Sequence, residues 1–256
     1  MIEFRNVSKH YGQKQALKNV TLTIQPGEIF GLIGHNGAGK STAIKSLVSI
    51  INPTEGEIWI DGEKLADNRL AIKNKIGYVP DSPNMFLRLT AMEYWNLMAT
   101  AYEVTTEEYQ GKLTMLLELF DMTENQYGVI NSFSHGMRQK TFIIGALLSN
   151  PDIWILDEPM TGLDPQAAFD LKEMMKQHAA AGNIVLFSTH VLDTAQQICD
   201  HIAILKHGEV LYDGTIEDLQ SQNENQSLET IYLKMAGRQP EKSQNVVSST
   251  EVEGRG

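Results

Sequence analysis

The stretch that decides the fold is Gly34-His35-Asn36-Gly37-Ala38-Gly39-Lys40-Ser41-Thr42, which matches the pattern G-x-x-x-x-G-K-[ST]. It lies between a predicted strand, Ile29 to Ile33, and a predicted helix, which is the context that this pattern requires. Its glycines allow successive N–H groups to curl around a polyphosphate, and the helix N-terminus adds a favourable dipole. The whole stretch is therefore predicted to bind a nucleotide, with Lys40 at the β and γ phosphates and the Ser41 hydroxyl on Mg²⁺. A glycine-rich turn that binds nothing is the weaker alternative, because packing does not require Gly-Lys-Ser in that order.

Two adjacent carboxylates end the apolar run Ile153-Trp154-Ile155-Leu156-Asp157-Glu158. Asp157 is predicted to hold the metal through a water molecule, and Glu158 to take a proton from the attacking water. Because neighbouring side chains on an extended strand point to opposite sides, the two acids are expected to have different roles. An isolated Asp-Glu pair at a strand end is often only a solvated surface feature. In a chain that also carries a phosphate loop, the pair predicts a catalytic role for these two residues.

Apolar runs between turn signals divide the chain into strands and helices. Strands are predicted within residues 2–33, at 58–62 and 76–80, and again at 153–156, 184–187 and 202–205. Residues 89–148 instead carry apolar side chains at three-and-four spacing, which predicts an inserted helical lobe. The amphipathic segments between the later strands predict α/β alternation with crossover helices. Residues 238–256 are polar and short of large apolar side chains, so they are expected to form a disordered tail.

The charge balance argues against one class of partner. The 256 residues include 21 Lys and Arg against 32 Asp and Glu, a formal net charge of −11, and such a surface repels phosphate backbones. Nucleic acid is therefore not an expected partner. A single cysteine, Cys199, cannot form an internal disulfide, and no apolar signal region opens the sequence, so a cytoplasmic location is expected. The apolar runs are far shorter than the roughly 20 residues of a spanning helix, so a membrane role would depend on a partner.

Further motifs agree with one family. Phe133-Ser134-His135-Gly136-Met137-Arg138-Gln139-Lys140 is similar to the LSGGQ signature of ABC-transporter ATPases, Thr161-Gly162-Leu163-Asp164 to their D-loop, and Ser188-Thr189-His190 to their switch-histidine motif. Tyr11 resembles the aromatic residue that stacks on adenine in that family. Together with the phosphate loop and the carboxylate pair, these motifs make residues 2 to about 215 resemble an ABC-transporter ATPase.

The resemblance implies an α/β fold, namely a P-loop NTPase core with a mixed sheet, a small antiparallel β subdomain and an inserted α-helical subdomain. The ATPase domain would span residues 1–237. Within it, the RecA-like core would occupy about 1–87 and 149–215, the helical subdomain about 88–148, and a helical C-terminal extension 216–237.

The resemblance also implies a head-to-tail dimer that hydrolyses Mg-ATP. Tyr11 and the phosphate loop of one copy would bind ATP, and Ser134 and Gly136 of a second copy, in the simplest case the same chain, would close over it. Two further sets complete the implied site: the catalytic residues Glu158, His190 and Lys40, and the Mg²⁺-holding residues Ser41, Asp157 and Asp81. The ATPase would drive an integral membrane transporter subunit from the cytoplasmic face of the cell membrane.

Several of these residues have a structural alternative. Tyr11 could simply cover the core at a strand end, His190 could be a satisfied structural histidine, and Ser134 could be an ordinary helix N-cap. Asp81 stands where the family usually has the glutamine of its Q-loop, and it could instead be a solvated aspartate that caps the next helix.

Other departures from the family pattern bear on the transport class. His135 and Met137 replace signature residues, although Ser134 and Gly136 remain. Residues 125–132 lack the acidic-glycine stretch of exporters whose membrane domain is fused to the ATPase, which favours a separate membrane subunit. The string Tyr-Val-Pro-Asp-Ser-Pro and the signature segment resemble Ecs-type bacterial ATPases, which are associated with peptide or pheromone export. The cargo expected for this chain is a peptide, a lipid or a drug-like molecule. A soluble ABC ATPase in an assembly complex without a membrane partner stays open as the alternative. ABC proteins that act on nucleic acid or ribosomes resemble tandem cassettes or carry long coiled-coil insertions, and this acidic single cassette has neither.

Overall fold

A computed structural model describes residues 1–82, 84–223, 226–235 and 237. The expected disordered tail, 238–256, lies outside the described residues. The strands are β1 (Ile2–Tyr11), β2 (Lys14–Ile24), β3 (Ile29–Ile33), β4 (Glu55–Ile60), β5 (Glu63–Lys64), β6 (Ile76–Val79), β7 (Ile153–Asp157), β8 (Ile184–Thr189), β9 (His201–Lys206) and β10 (Glu209–Gly214). The helices are α1 (Lys40–Leu47), α2 (Arg69–Lys73), α3 (Ala91–Ala101), α4 (Thr106–Leu119), α5 (His135–Leu148), α6 (Pro165–Ala180), α7 (Leu192–Ile198), α8 (Ile216–Ser221) and α9 (Leu228–Met235). None of the helices in the described ranges combines the length and hydropathy of a membrane span.

The strands form two sheets of different character. A four-stranded antiparallel sheet has the order β2-β1-β4-β5, and a six-stranded sheet has the order β10-β9-β3-β8-β7-β6. In the larger sheet β10 runs antiparallel to β9, while the other neighbouring pairs are parallel. Every residue of β3, β7 and β8 is buried, which is typical of parallel strands covered on both faces.

Alternation along the central strands divides the core into two layers. On β7, Ile153 and Ile155 join the cluster that packs the central sheet against α1 and the antiparallel sheet. Trp154 and Leu156 join the cluster formed with the helices on the opposite face. Because successive side chains of a strand point to opposite faces, one short apolar run serves both layers.

The helical lobe is held together by aromatic packing and helix caps. Trp95 on α3 donates from Nε1 to the carbonyl oxygen of Thr141 on α5 at 2.9 Å. The Tyr94 ring lies 4.8 Å from the Phe142 ring between the same helices. A capping box at Thr90 starts α3, so the entry into the lobe is defined by the sequence itself.

The parallel strands bring the predicted site residues to one edge of the sheet. In the strand register Ile33 lies beside Thr189, and Asp157 lies beside Ser188. The phosphate loop, Glu158 and His190 therefore leave the sheet together at the carboxyl ends of β3, β7 and β8. This edge is where open α/β sheets bind their ligands.

Candidate nucleotide-binding site

The phosphate loop joins β3 to α1, and its curve is fixed by contacts with neighbouring backbone. Gly39 has a φ of 117°, and a Cβ there would lie 2.9 Å from the carbonyl oxygen of Ala16, so glycine is required. The Gly208 N–H donates to the Ala38 carbonyl oxygen at 2.8 Å from the turn between β9 and β10. Since α1 begins at Lys40, its N-terminal N–H groups and the positive end of its dipole lie at the loop. The loop is therefore built to receive an anion.

Lys40 is a buried cation beneath this loop. Its side chain is only 5 % exposed, and its Nζ lies 3.1 Å from Glu158 Oε1. The same Nζ donates to the Gly34 carbonyl oxygen at 2.6 Å. A buried ammonium group is stable only with such partners, and a phosphate in the cleft would offer a partner of the same charge as the Glu158 carboxylate.

Asp157 is fully buried at the end of β7. The Ser188 hydroxyl donates to its Oδ1 at 2.5 Å, while its Oδ2 has no hydrogen-bond partner among the residues that the structure describes. Burial raises the pKa of the Asp157 carboxyl above its usual range, and the hydroxyls of Ser188 and Ser41 oppose that rise. A buried carboxylate oxygen without a partner is costly, so Oδ2 suits contact with a hydrated cation.

Glu158 follows Asp157 in a left-handed backbone conformation, with a φ of 51°. The expectation that both acids lie on an extended strand is therefore wrong, because β7 ends at Asp157 and the backbone turns at the next residue. The two side chains nevertheless have different surroundings. Glu158 Oε2 lies 2.9 Å from His190 Nδ1, and Glu158 Oε1 faces Lys40. The structure thus brings together the three residues predicted to be catalytic.

The residues predicted to hold Mg²⁺ suit an ion whose remaining ligands are nucleotide phosphates and water molecules. Ser41 lies in the first turn of α1, Asp157 offers its unpartnered Oδ2, and Asp81 is exposed at the wall of the cleft. Within the described ranges, His, Cys, Asp and Glu side chains form no group of three or more that could hold a metal. Mg²⁺ is commonly held by one or two carboxylates together with substrate phosphates and waters, and these oxygen donors match that chemistry.

A cleft of about 640 Å³ connects these elements. Its walls are formed by phosphate-loop residues 35–42 together with Tyr11, Lys14, Gln15, Ala16, Lys18, Asp81, Glu158, Thr161, His190 and His207. Tyr11, at the end of β1, is 48 % exposed. An aromatic ring that is open to the cleft suits stacking on a nucleotide base better than covering a core.

Comparison with known proteins agrees with this geometry. The profile of the family described as ABC transporter matches residues 17–161, more than half of the chain. The chain belongs to this family. It is the ATP-binding subunit of an ABC transporter, and the predicted family, fold class and ATPase activity are confirmed.

Individual relatives and solved structures align with most of this chain. This chain is 37% identical over 237 residues to the ABC-type transporter ATP-binding protein EcsA of Bacillus subtilis, and the alignment covers 92% of this chain and 96% of EcsA. It is 30% identical over 219 residues to the Nod factor export ATP-binding protein I of Cupriavidus metallidurans, covering 86% of this chain and 72% of that protein. Among solved structures, a dimeric ATP-binding cassette in a post-hydrolysis state, bound to ADP and Pi, matches with a TM-score of 0.76 and 30% identity, covering 84% of this chain and 99% of that one.

The signature segment of this cassette lies apart from the cleft. Ser134 is exposed and caps α5, with its Oγ accepting a hydrogen bond from the Met137 N–H at 3.2 Å. Gly136 packs against the D-loop, where a Cβ would lie 2.3 Å from the Gly162 carbonyl oxygen. Neither Ser134 nor Gly136 is among the described residues that line the cleft. One chain therefore does not bring them to its own phosphate loop.

Helix caps bear on two of the structural alternatives. Ser134 is an N-cap, as that alternative required, but its exposed position leaves the hydroxyl accessible. Asp81 does not cap the next helix, because Thr90 caps α3. The capping part of the Asp81 alternative is therefore wrong, whereas its exposed position at the cleft wall agrees with a solvated side chain.

Several cleft residues were missed by sequence reasoning. Lys14 and Lys18 line the cleft on the strand that follows Tyr11, and their nearness to Tyr11 in the sequence was a usable signal. Ser188 was recognised within its motif, but its bond to Asp157 was not foreseen. His207 reaches the cleft from the turn between β9 and β10, and no local pattern indicates this.

Proposed function

We propose that this cassette works as a head-to-tail homodimer that hydrolyses Mg-ATP and drives export through separate membrane subunits. The observation that carries the proposal is the division of the site. Glu158 and His190 line the cleft beside the phosphate loop that contains Lys40, whereas Ser134 and Gly136 of the same chain are not among the described residues that line it. A second copy would supply the missing hydroxyl and backbone amide. The dimeric cassette bound to ADP and Pi supports this arrangement.

Catalysis in this dimer rests on positioning and electrostatics. Lys40 offsets the negative charge of the phosphates, and Glu158 accepts the proton of the attacking water. His190, which is bonded to Glu158, orients that carboxylate and steadies the γ phosphate. Ser41, Asp157 and Asp81 would hold Mg²⁺, which would supply positive charge to neutralise the charge that develops on the phosphates.

Hydrolysis opens the dimer because ATP and ADP differ in what they offer the second chain. The γ phosphate contacts Ser134 and Gly136, and a ligand shifts a conformational equilibrium only by such differential contacts. Asp81 lies between the end of β6 and the helical lobe, so it is placed to pass the state of the metal and nucleotide to that lobe. The lobe then moves an integral membrane subunit at the cytoplasmic face of the membrane.

The names of both relatives support a role in transport, and the name of one of them supports export. One of them is named for Nod factor export, and EcsA is named as a transporter ATP-binding protein. We propose a peptide, lipid or drug-like cargo for this chain. An assembly ATPase without a membrane partner is less well supported, because these relatives are transporter subunits.

A complementation experiment tests the shared site. Ser134→Asp keeps a good N-cap residue but sets a negative charge against the γ phosphate, and Lys40→Ala disables the phosphate loop. A mixed dimer of these two variants has one site with both lesions and one site with neither. We expect each variant alone to be inactive and an equal mixture to regain ATPase activity. A mixture no more active than its components would contradict the head-to-tail arrangement.

A second experiment tests the membrane partner. The tagged cassette is purified from detergent-solubilised membranes, and co-purifying proteins are identified by mass spectrometry. We expect an integral membrane protein in stoichiometric amount. Recovery only with non-membrane proteins would instead favour the assembly ATPase.

A further inference from the structure

We infer that Tyr232, on the C-terminal helix α9, is a positioning residue for the phosphate loop and thereby sets the affinity for nucleotide. The His35 N–H donates to the Tyr232 hydroxyl at 2.8 Å across 197 residues of sequence. This inference rests on the proposal that residues 34–42 hold the phosphates of ATP. It adds a residue of the C-terminal extension to the machinery of that site.

The bond acts at the start of the loop, at the residue that follows Gly34. The Gly34 N–H donates to the Thr189 carbonyl oxygen at 3.3 Å, and the Ala38 N–H donates back to the His35 carbonyl oxygen at 3.0 Å. Main-chain groups thus hold the loop on both sides of His35. The N–H of His35 itself is held by a side chain, so the first turn of the loop depends on the Tyr232 hydroxyl.

Loss of that hydroxyl would leave a partly buried N–H without its partner. Such a group is unfavourable, so the loop would sample other curves. Binding of a polyphosphate would then have to order the loop as well as contact it, which weakens affinity. The catalytic groups at the ends of β7 and β8 would keep their places, so the rate at saturating ATP would change little.

The helix that carries Tyr232 is itself fixed to the site. Leu228 and Ile231 of α9 are buried in a cluster that includes Ile33, at the end of β3, and Ala195 of α7. The helix α7 begins two positions after His190. Through these contacts α9 packs against β3, which leads into the phosphate loop, and against α7, which follows His190.

The test compares Tyr232→Phe with Tyr212→Phe in the 256-residue chain. Tyr212 packs against the same cluster, but its hydroxyl donates to the Thr215 carbonyl oxygen at 2.6 Å, away from the phosphate loop. Dissociation constants for Mg-ATP and Mg-ADP, KM, kcat and Tm are measured for both variants. We expect Tyr232→Phe to weaken both nucleotides about two- to tenfold, with kcat within about twofold of wild type. Amide exchange at His35 should become faster, while Tyr212→Phe should leave affinity and His35 exchange unchanged.

Two outcomes would overturn the inference. One is wild-type affinity and wild-type His35 exchange in Tyr232→Phe. The other is an equal loss of affinity in both tyrosine variants that follows their loss of Tm, which would assign Tyr232 a purely structural role. Lys40→Ala, measured alongside, separates this inference from the proposed site. If Lys40→Ala binds nucleotide like wild type, the phosphate-loop proposal itself fails.

Discussion

The phosphate loop and the signature segment are both parts of the proposed site, yet the fold treats them in opposite ways. Around the loop, Lys40 is 5 % exposed, forms an ion pair with Glu158 and donates a hydrogen bond to the Gly34 carbonyl oxygen. Ser134 of the signature is exposed, and its hydroxyl has a neighbouring backbone N–H as partner. One half of the site is completed within the chain, and the other half is presented outward. Nucleotide affinity and turnover should therefore depend on different residues.

The outward half is nevertheless connected to the inner half. Lys140 of the signature helix lies 2.8 Å from Asp164 Oδ2, at the end of the D-loop. Asp164 also caps α6 by accepting from the Ala167 N–H at 2.9 Å, and this bond together with Lys140 lowers the pKa of the Asp164 carboxyl. The D-loop begins three residues after Glu158, so this ion pair joins the signature helix to the segment that follows the predicted catalytic carboxylate.

The largest expected effect comes from Glu158→Gln, which keeps the shape of the side chain and removes its basicity. Turnover should fall by about 10²- to 10⁴-fold, the contribution typical of a general base, while ATP binding persists. The unhydrolysed ATP should then hold two chains together, so that the variant elutes as a dimer in size-exclusion chromatography. A monomer in saturating Mg-ATP combined with wild-type turnover would remove Glu158 from its role.

The next largest effect distinguishes the phosphate-loop half of the site from the signature half by their contributions to nucleotide affinity. Lys40→Ala should weaken ATP binding to the single chain by about tenfold or more, because it removes the buried cation that faces the phosphates. Ser134→Asp should leave that affinity unchanged, since the signature of one chain does not line its own cleft. Titration with a fluorescent ATP analogue at low protein concentration measures both. Equal losses in the two variants would show that one chain contains a complete site.

A smaller and more selective effect is expected at Asp81. In the complete transporter, Asp81→Gln should retain most coupled transport, whereas Asp81→Ala should keep ATP binding and lose coupling. Because a carboxylate prefers a metal-bound water as its contact, the wild type should also depend more steeply on Mg²⁺ than Asp81→Gln. ATPase activity and transport are measured together across a Mg²⁺ titration. Normal transport by Asp81→Ala would reduce Asp81 to a loop residue.

The smallest effect is expected from deletion of residues 238–256. Their sequence offers no periodic apolar face for packing, so ATPase activity and Tm should stay at wild-type values. A large fall in Tm on deletion would show that this segment contributes to the folded domain.

The sequence was most informative where chemistry and local order coincide. Gly34 to Thr42 combine an anion-binding pattern with a strand before and a helix after, so both the fold and the inner half of the site could be predicted. The apolar run that ends at Asp157 likewise predicted a buried strand. In each case the signal lies within about ten neighbouring residues, over which periodicity and turn residues predict local structure.

Contacts between distant segments could not be predicted. The bond of Ser188 to Asp157 depends on strand register, and the bond of His35 to Tyr232 joins residues 197 positions apart. The left-handed backbone of Glu158 was also missed, because glutamate has no special preference for that conformation. Such features depend on tertiary packing, which overrides local propensity.

That backbone conformation limits what a mutational survey of position 158 could report. A β-branched replacement such as valine or threonine is strongly disfavoured at a φ of 51°, so its defects would combine misfolding with lost chemistry. Glycine would relax the main chain while deleting the carboxylate, and alanine would delete it without that relief. A ranking of variants by activity alone would therefore mix tolerance of the turn with basicity of the side chain. Glutamine, which shares the unbranched shape of the native residue, is the replacement that isolates the base.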